Sequence, residues 1–402
     1  MPHSSAIHGH VSSGYEPVWE AFVENFERRG EVGASVCVYH QGQKVVDLWG
    51  GWADVESKTP WGEDHIGIIF SSTKGLAALC MLVLHDRGRL DYDAPVAEYW
   101  PEFAWGGKQH ITVRMLLNHR SGLSGLDRPL SLSDLEKPAH MAAACVAQQP
   151  MWEPGSAQGY GAISWGILVG ELFRRVAGES LGRFLQREIA GPLGADAFLG
   201  LPPEHESRFA TLYPTTTRER ITQIIPRALF SPKVEGRVYR SVLYGSGGGV
   251  GRRAFGNPKE LGPDGLHNFN SPRVHRMELP WSNGIANGRG LARIYAALAN
   301  GGELDGVRIV SQAAAKLPHE RGSWEHDRIM CKPMGFSLGF VKEQTHLFSP
   351  NTNSFGHPGA GGALGWCDPD QGVSIGYVMN KMDFHIRSKR ALALAHAINS
   401  CL

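Results

Sequence analysis

The chain has 402 residues, and its 40 lysines and arginines against 39 aspartates and glutamates give a formal net charge of +1. Apolar residues make up 42% of it, the usual share of a globular protein with one large or two interlocked domains. The balanced charge excludes the strongly basic surface typical of proteins that bind nucleic acid or anionic membranes, so neither is an expected partner.

The start of the chain alternates between helix and strand patterns. Residues 17–29 carry apolar groups at helical spacing. Two strand-like runs follow at about 34–40 and 43–50, and the turn between them predicts a hairpin. His8-Gly9-His10 precedes these elements and is expected to lie in a mobile terminus.

The middle of the chain is predicted to be mainly helical. A strong helix-forming segment, Gly75–Leu84, follows the apolar run Ile66–Phe70. A short helix is predicted over 111–119, and an amphipathic helix over 163–178 ends at a glycine, as a helix C-cap does. Residues 202–280 are rich in Pro, Gly, Arg and Ser, and no regular element is predicted there.

The last part of the chain returns to mixed patterns. A helix over 291–301 ends at a glycine, strand-like runs follow at 335–342 and 373–380, and a closing helix covers 387–399. Strand patterns at both ends and helix patterns between them predict one sheet built from both termini.

This order of elements predicts two domains. Residues 1–72 and 280–402 are expected to form a discontinuous α/β domain, with the mainly helical residues 73–279 inserted as a second domain. We find no internal repeat and no low-complexity tract in the sequence.

The location is predicted from the chain's start and its cysteines. Met1–His8 has neither the basic nor the apolar segment of a secretion signal, and no apolar run reaches membrane-spanning length. The six cysteines lie far apart without a C-x-x-C pair, which favours free thiols. A cytoplasmic protein is expected. None of the 18 histidines lies in H-E-x-x-H, so neither a metal nor another cofactor is expected.

Ser71 precedes Lys74 by one helical turn at the start of the predicted central helix. Side chains three residues apart share one face of a helix, so the hydroxyl and the amine can meet in an apolar setting. A lysine accepts a proton from serine when burial lowers the lysine pKa. The alternative is a helix-capping serine beside a solvated lysine.

Acyl transfer from such a pair also needs a second proton-handling group and donors for the oxyanion. Tyr160 lies just before the 163–178 helix, in a loop that Pro154 stiffens. The segment Phe355–Ala363 is rich in small residues, which let backbone N–H groups come close to a substrate.

Together these motifs resemble the serine β-lactamase and penicillin-binding-protein superfamily, and within it the class C-like esterases called family VIII carboxylesterases. The motifs are Ser71-x-x-Lys74, Trp-x-Pro-Gly-x-x-x-x-Tyr160 and His357-x-Gly359, with the linking segment 112–123. The resemblance covers most of the chain and is weakest over 202–280. It implies a β-lactamase-like α/β (α+β) fold, with an antiparallel sheet flanked by helices and an inserted helical domain.

The resemblance also implies roles for individual residues. Ser71 would be the nucleophile at the helix N-terminus, which favours developing negative charge. Lys74 would act as, or help, the general base. Tyr160 would pass the proton to the leaving group, as a phenolate or through Lys74. The backbone N–H groups of Ser71 and Ala360 would form the oxyanion hole.

Two positions depart from the β-lactamase pattern. Ala162 stands where those enzymes carry an asparagine that contacts the substrate, and His357-Pro358-Gly359 stands where they carry Lys-Thr-Gly, whose lysine attracts a carboxylate. Histidine is mostly neutral at pH 7. His357 and Gly359 are expected to contact the substrate, a small-molecule ester rather than an anionic amide. The expected activity is hydrolysis of short-chain carboxylic esters through an acyl-Ser71 intermediate.

Other interpretations of the sequence stay open. The same serine would serve a β-lactamase, a D-Ala-D-Ala peptidase or an acyltransferase, and the chain could be a non-catalytic relative. Ala162–Gly166 approximates the G-x-S-x-G elbow of α/β-hydrolases, but Ser164 is predicted to open a helix rather than follow a strand. Tyr244–Gly251 resembles a phosphate loop only in glycine content and is interpreted as a flexible loop.

Overall fold

The computed structural model describes residues 7–244, 250–342 and 347–402. The strands of this part of the chain are β1 (Ile7–Val11), β2 (Gly33–His40), β3 (Gln43–Asp54), β4 (Thr59–Pro60), β5 (Gly67–Ile68), β6 (Ala197–Phe198), β7 (Ile285–Ala286), β8 (Glu303–Leu304), β9 (Val307–Arg308), β10 (Ser323–Asp327), β11 (Lys332–Ser337), β12 (Phe340–Lys342), β13 (Phe355–Pro358), β14 (Leu364–Asp368) and β15 (Val373–Met379).

The α-helices of the same ranges are α1 (Glu16–Arg28), α2 (Ser72–Asp86), α3 (Val96–Tyr99), α4 (Val113–Leu117), α5 (Leu132–Leu135), α6 (Pro138–Ala147), α7 (Ser164–Ala177), α8 (Leu181–Leu185), α9 (Thr217–Glu219), α10 (Ile225–Phe230), α11 (Val234–Tyr239), α12 (Val250–Phe255), α13 (Pro272–Arg276), α14 (Gly288–Ala299), α15 (Gln312–Lys316) and α16 (Lys389–Asn399). Short π-helical segments are Gln186–Ala190, Arg220–Ile224 and Arg240–Tyr244. Short 3-10 segments are Pro101–Ala104, Pro203–Arg208, Lys259–Leu261, Leu266–Asn270, Leu317–His319 and Ala360–Gly362.

The main sheet has ten described strands in the order β1-β3-β2-β15-β14-β13-β12-β11-β10, with β4 paired to β3. Neighbouring strands are antiparallel throughout. In the pair that joins the two ends of the chain, Val38 of β2 lies opposite Ile375 of β15. The prediction of one antiparallel sheet built from both termini is therefore confirmed.

Helices cover both faces of this sheet. Along β15, the Ser374 hydroxyl donates to the Ala292 carbonyl of α14, whereas Tyr377 points to the opposite face, beside α16. Helix α14 comes very close to the sheet at Gly376, where a Cβ would lie 2.1 Å from the Gly288 carbonyl oxygen. Only glycine at this position leaves room for the helix backbone.

Helix α2 lies between the sheet and the helical middle of the chain. It packs against β12 and β13 on one side and against α7 and α8 on the other. Every residue from Ser72 to Leu84 is buried, as expected for a helix that is apolar all round. The predicted division into residues 1–72 with 280–402 and residues 73–279 follows this order of elements and stays a proposal.

Most predicted elements are confirmed within a few residues. The helices predicted at 17–29, 163–178, 291–301 and 387–399 are α1, α7, α14 and α16, and the hairpin at 34–50 is β2–β3. Gly178 has φ +74 and closes α7 as predicted. Residues 202–244 and 250–280 form short helices and helical turns joined by irregular segments. Of the segment Tyr244–Gly251, interpreted as a flexible loop, residues 245–249 lie outside the described residues, whereas Val250 and Gly251 begin α12.

Two predictions are wrong. His8-Gly9-His10 is not in a mobile terminus but in β1, which pairs with the outer edge of β3. Its mostly exposed residues lack the apolar alternation that marks a strand. The single run predicted at 335–342 is a hairpin, β11–β12, because Leu338 and Gly339 both adopt positive φ, +51 and +95, and turn the chain back.

A buried ion pair connects the start of β2 with α16. The side chains of Glu31 and Arg390 are 0% and 1% exposed, and their atoms Oε1 and Nη1 are 2.5 Å apart. Tyr377 of β15 donates its hydroxyl to the other carboxylate oxygen. The cluster therefore joins both ends of the chain through one carboxylate.

Arg390→Met is expected to lower the free energy of unfolding by about 3–5 kcal/mol, because it leaves the buried Glu31 carboxylate uncompensated. Urea unfolding followed by circular dichroism measures the change. The neighbouring exposed Lys389→Met serves as the control and should shift stability by no more than about 0.5 kcal/mol. Equal losses in the two variants would contradict the importance of the pair.

Candidate active site

Ser71 occupies the residue before the first turn of α2, and its side chain makes no capping hydrogen bond. Its Oγ lies 3.5 Å from Nζ of Lys74. Lys74 is completely buried. The alternative of a capping serine beside a solvated lysine is therefore wrong, and the two side chains share one helix face as their spacing predicts.

The backbone turns sharply into α2. Phe70, a bulky residue, has φ +43, a conformation that costs about 1–3 kcal/mol in a non-glycine residue. Thr73 stabilises this turn because its hydroxyl donates to the Phe70 carbonyl at 2.5 Å and accepts the Gly284 N–H at 2.9 Å. The turn leaves Ser71 partly exposed, whereas Ser72 to Leu84 are buried.

Lys74 is held by carbonyl groups rather than by acids. Nζ donates to the carbonyl oxygens of Ala162 at 2.9 Å and Trp281 at 3.0 Å. Burial lowers the pKa of Lys74 well below its usual range, which favours the neutral amine. A neutral amine has two N–H groups, and these two carbonyls take them up. Its lone pair is then left for the Ser71 hydroxyl.

Tyr160 lies over the same lysine, with Nζ of Lys74 5.0 Å from the centre of its ring. Burial raises the pKa of Tyr160 above its usual range, and a hydrogen bond with Ser71 lowers it in part. Tyr160 therefore carries its proton at neutral pH, beside the serine hydroxyl. A protonated phenol in this place can donate a proton.

The loop after β13 lies against the segment that leads into Ser71. A Cβ on Gly359 would lie 2.2 Å from the Ile69 carbonyl oxygen, so glycine is required for this approach. Gly359 N–H donates to the Ala363 carbonyl at 2.6 Å. Within the described ranges, the N–H groups of Ser71 and Ala360 have no acceptor, and both are available to a bound oxyanion.

His357 is buried and neutral. Its Nδ1 donates to the Pro358 carbonyl at 2.9 Å, while Nε2 has no partner in the described part of the chain. Burial first, and the nearby Lys74 second, lower the pKa of His357 to about 3. The expectation that this motif supplies no cation is therefore supported, and the ring lines the cavity described below.

His119 braces the loop that carries Tyr160, a position that the sequence interpretation missed. Its Nδ1 accepts the Gly161 N–H at 3.0 Å and its carbonyl accepts the Gly159 N–H at 2.9 Å. The only sequence signal is its place in the segment Leu116–Gly122, next to the motif residues.

A cavity of about 360 Å³ opens onto Ser71, Tyr160 and His357. Gly359 and Ala360 also line it, so the structure brings together all the predicted site residues except the fully buried Lys74, which lies behind Ser71. Its other walls are mainly apolar and include Ile224, Val238, Phe255, Leu266, Met330 and Phe384. Several of these come from the segment 202–280, which the sequence left without a function because it shows no regular period.

Other candidate features have structural explanations. Ser164 opens α7 and donates its hydroxyl to the Leu123 carbonyl at 2.7 Å, 1% exposed. The described residues contain no group of three metal-ligating side chains. All six cysteines are free thiols, four of them buried. In the described ranges no helix has both the length and the apolar composition to cross a membrane.

Comparison with known proteins agrees with this geometry. The family described as Beta-lactamase matches residues 19–398. The chain is 35% identical over 379 residues to the esterase/beta-lactamase LipL of Mycobacterium tuberculosis (strain ATCC 25618 / H37Rv), covering 94% of this chain and 83% of that protein.

Two solved structures are similar over nearly the whole length. A family VIII carboxylesterase has a TM-score of 0.86 and 36% identity, with 98% of this chain and 100% of that chain covered. A penicillin-binding-protein homolog from Caulobacter crescentus has a TM-score of 0.82 and 33% identity, with the same coverage.

Proposed function

The chain belongs to the Beta-lactamase family and is a serine ester hydrolase, a carboxylesterase, and from this premise we propose that it cleaves short-chain esters through an acyl-Ser71 intermediate. The observation that carries the proposal is the buried Lys74 amine, 3.5 Å from the Ser71 hydroxyl at the floor of the cavity. A neutral amine in this place is a base with one acceptor site to offer, and that site faces the serine.

In the acylation step, Ser71 Oγ attacks the ester carbonyl carbon while Lys74 takes the hydroxyl proton. The N–H groups of Ser71 and Ala360 donate to the oxygen that becomes negative, and the N-terminus of α2 favours the same charge. The carbon–oxygen bond to the alcohol then breaks. Tyr160 gives its proton to the leaving oxygen and receives the proton that Lys74 had taken, which returns both groups to their starting forms.

Deacylation reverses these roles with water in place of the alcohol. Tyr160 and Lys74 take a proton from the attacking water and return it to Ser71 Oγ as the acyl group leaves as a carboxylic acid. His357 and Gly359 are proposed to contact the substrate at the cavity wall. A second candidate, β-lactam hydrolysis by the same serine, is favoured by the double name of the mycobacterial relative.

The proposal is tested by labelling with a fluorophosphonate, followed by intact-mass measurement and peptide mapping. We expect one phosphonyl group per chain, bound to Ser71. Ser282 lines the same cavity, so Ser282→Ala is the matched control and should label normally, whereas Ser71→Ala should not label. A label on another residue would contradict the assignment. Turnover of 4-nitrophenyl butyrate compared with nitrocefin separates the ester from the β-lactam activity.

A cytoplasmic location is part of the same proposal. Its support is the set of six free thiols, which is typical of a reducing compartment. Cell fractionation followed by immunoblotting tests it, and recovery in a membrane or secreted fraction would contradict it.

A further inference from the structure

Lys332 places an unpartnered ammonium group at the wall of the catalytic cavity. It is the first residue of β11, it lines the cavity that holds Ser71, and it is 8% exposed. Its Nζ has neither a hydrogen-bond acceptor nor an ion-pair partner among the described residues. A buried cation without a partner is costly, so this position is better suited to a ligand than to packing.

The acid opposite Lys332 already accepts hydrogen bonds from other groups. Asp327 lies opposite Lys332 across the β10–β11 hairpin. Its Oδ1 accepts the N–H groups of Ile329 and Met330, and its Oδ2 accepts from the Gln158 amide at 3.2 Å. Asp327 is therefore held in the turn by other donors and forms no ion pair with Lys332, although its charge raises the pKa of Lys332 in part against the effect of burial.

Arg220 and Asp383, two other charged groups at the cavity wall, have partners, unlike Lys332. Arg220 binds Asp264 at 2.6 Å. Asp383 accepts from Ser388 Oγ at 2.9 Å and lies 2.7 Å from Nδ1 of His385. Among the described charged groups at the cavity wall, Lys332 thus has no ion-pair partner. Burial lowers its pKa to about 8, which leaves most of the molecules charged at neutral pH.

The face of β11 connects this charge with the reacting groups. Phe336, Met334 and Lys332 are alternate residues and therefore share one face of the strand. The Phe336 ring stacks on Tyr160, with ring centres 6.1 Å apart, and Met334 lines the cavity. Along the strand, Lys332 lies roughly 13 Å from Phe336. An apolar path thus leads from Tyr160 to a cation.

We infer that Lys332 binds a carboxylate at the far end of an apolar chain in the substrate, so that the preferred esters carry a terminal acid group. This inference rests on the proposed attack of Ser71 on an ester in the same cavity. It changes the expectation drawn from His357: the motif itself supplies no cation, but a strand two places away in the sheet does.

The test compares matched pairs of esters that differ only at the chain end. On the acyl side, 4-nitrophenyl half-esters of adipic, suberic and sebacic acid are compared with 4-nitrophenyl esters of straight-chain monocarboxylic acids of equal carbon number. On the alcohol side, acetates of the corresponding ω-hydroxy acids are compared with acetates of alkanols. The readout is the ratio of kcat/KM for the acid-terminated ester to that for its neutral partner.

We expect a ratio above one in at least one series, which tells whether the acyl or the alcohol part reaches Lys332. Lys332→Met should lower that ratio roughly tenfold to a hundredfold, the range for a hydrogen bond to a charged group, whereas Lys332→Arg should keep most of it. Lys233→Met removes an exposed lysine outside the cavity and should leave the ratio unchanged. Methionine at position 332 is apolar and of similar length, so it should not prevent folding.

The ratio should also depend on pH in the wild-type protein. As the pH rises from 7 to 9, Lys332 loses its proton and the ratio should fall, whereas in Lys332→Met it should stay flat. Arg387 and Asp327 act on the Lys332 charge, and the charged or titratable side chains that line the same cavity include Arg220, Tyr239, Asp383 and His385. The Lys332→Met profile separates their effects from those of the lysine.

A ratio of one or less in both series, or an unchanged ratio in Lys332→Met, would overturn the inference while leaving the esterase proposal intact. The proposed function fails separately, if no ester of either kind is cleaved or if Ser71 is not labelled.

Discussion

Ser71→Ala is expected to lower kcat for 4-nitrophenyl butyrate by roughly 10⁴- to 10⁶-fold, the loss seen when a catalytic serine is removed. The reason is positional: Ser71 Oγ both faces the cavity and lies next to the Lys74 amine. The methyl group of alanine provides no nucleophile, and water in its place is not held against the same base. The release of 4-nitrophenol by the purified protein measures the residual rate.

This result needs a control for correct folding, because Ser71 lies at the start of the mostly buried helix α2. The side chain itself makes no capping hydrogen bond, so we expect the thermal midpoint of Ser71→Ala to stay close to that of the wild type. Ser282→Ala should retain ester turnover. A Ser71→Ala enzyme that keeps a large part of its activity would refute the acyl-Ser71 mechanism.

Lys74→Met is expected to lower kcat by roughly 10²- to 10⁴-fold, the usual contribution of a general base. The substitution keeps the length of the side chain but removes the amine. It also leaves the Ala162 and Trp281 carbonyls without their donor, so the free energy of unfolding should be measured in parallel. A pre-steady-state measurement should show that acylation, seen as the burst of 4-nitrophenol, is the step that slows.

The pH profile distinguishes Lys74 from other bases. Because the pKa of Lys74 is lowered by burial, the neutral, active amine forms as the pH rises through that lowered pKa, and kcat/KM should rise with it. The pKa of His357, about 3, lies too low to produce this rise. In the Lys74→Met variant, kcat/KM should therefore not show this rise with pH. A rise preserved in that variant would assign the base to another group.

Tyr160→Phe gives the matched comparison. Tyr160 is proposed to protonate the leaving group. Tyr160→Phe should therefore lower kcat less for 4-nitrophenyl esters, whose leaving group needs little protonation, than for alkyl esters. Lys74→Met should lower kcat equally for both kinds of ester, because the serine proton must be removed in either case.

Much of the site could be predicted from local spacing. The three-residue step from Ser71 to Lys74 determines that both side chains share a helix face, because an α-helix repeats every 3.6 residues. The apolar composition of the same segment predicts that the helix is buried, and burial is what lowers the pKa of Lys74. The strand-like runs at the two ends of the chain similarly predicted one sheet made from both termini, and the family resemblance implied that it is antiparallel.

Other features could not be predicted in this way. The edge strand β1 carries mostly exposed residues, so only its hydrogen bonds to β3 define it. The positive φ of Phe70 depends on Thr73 and on Gly284, which is far away in the sequence. The bracing of Tyr160 by His119 likewise joins two separate loops, through the ring nitrogen and the carbonyl of His119.

The sequence by itself therefore determined that Ser71 and Lys74 share one helix face and that both termini build one sheet, because these features depend on short-range spacing and on hydrophobic pattern, whereas the fold class and the place of Gly359 followed from the resemblance of the motifs to a known family. The tertiary structure decided which groups bind the Lys74 amine, which segment lines the cavity, and which cation lies at the cavity wall. Lys332 illustrates the physical reason. Its lack of an ion-pair partner depends in part on contacts between distant parts of the chain, such as those of Gln158 with Asp327 and of Arg220 with Asp264.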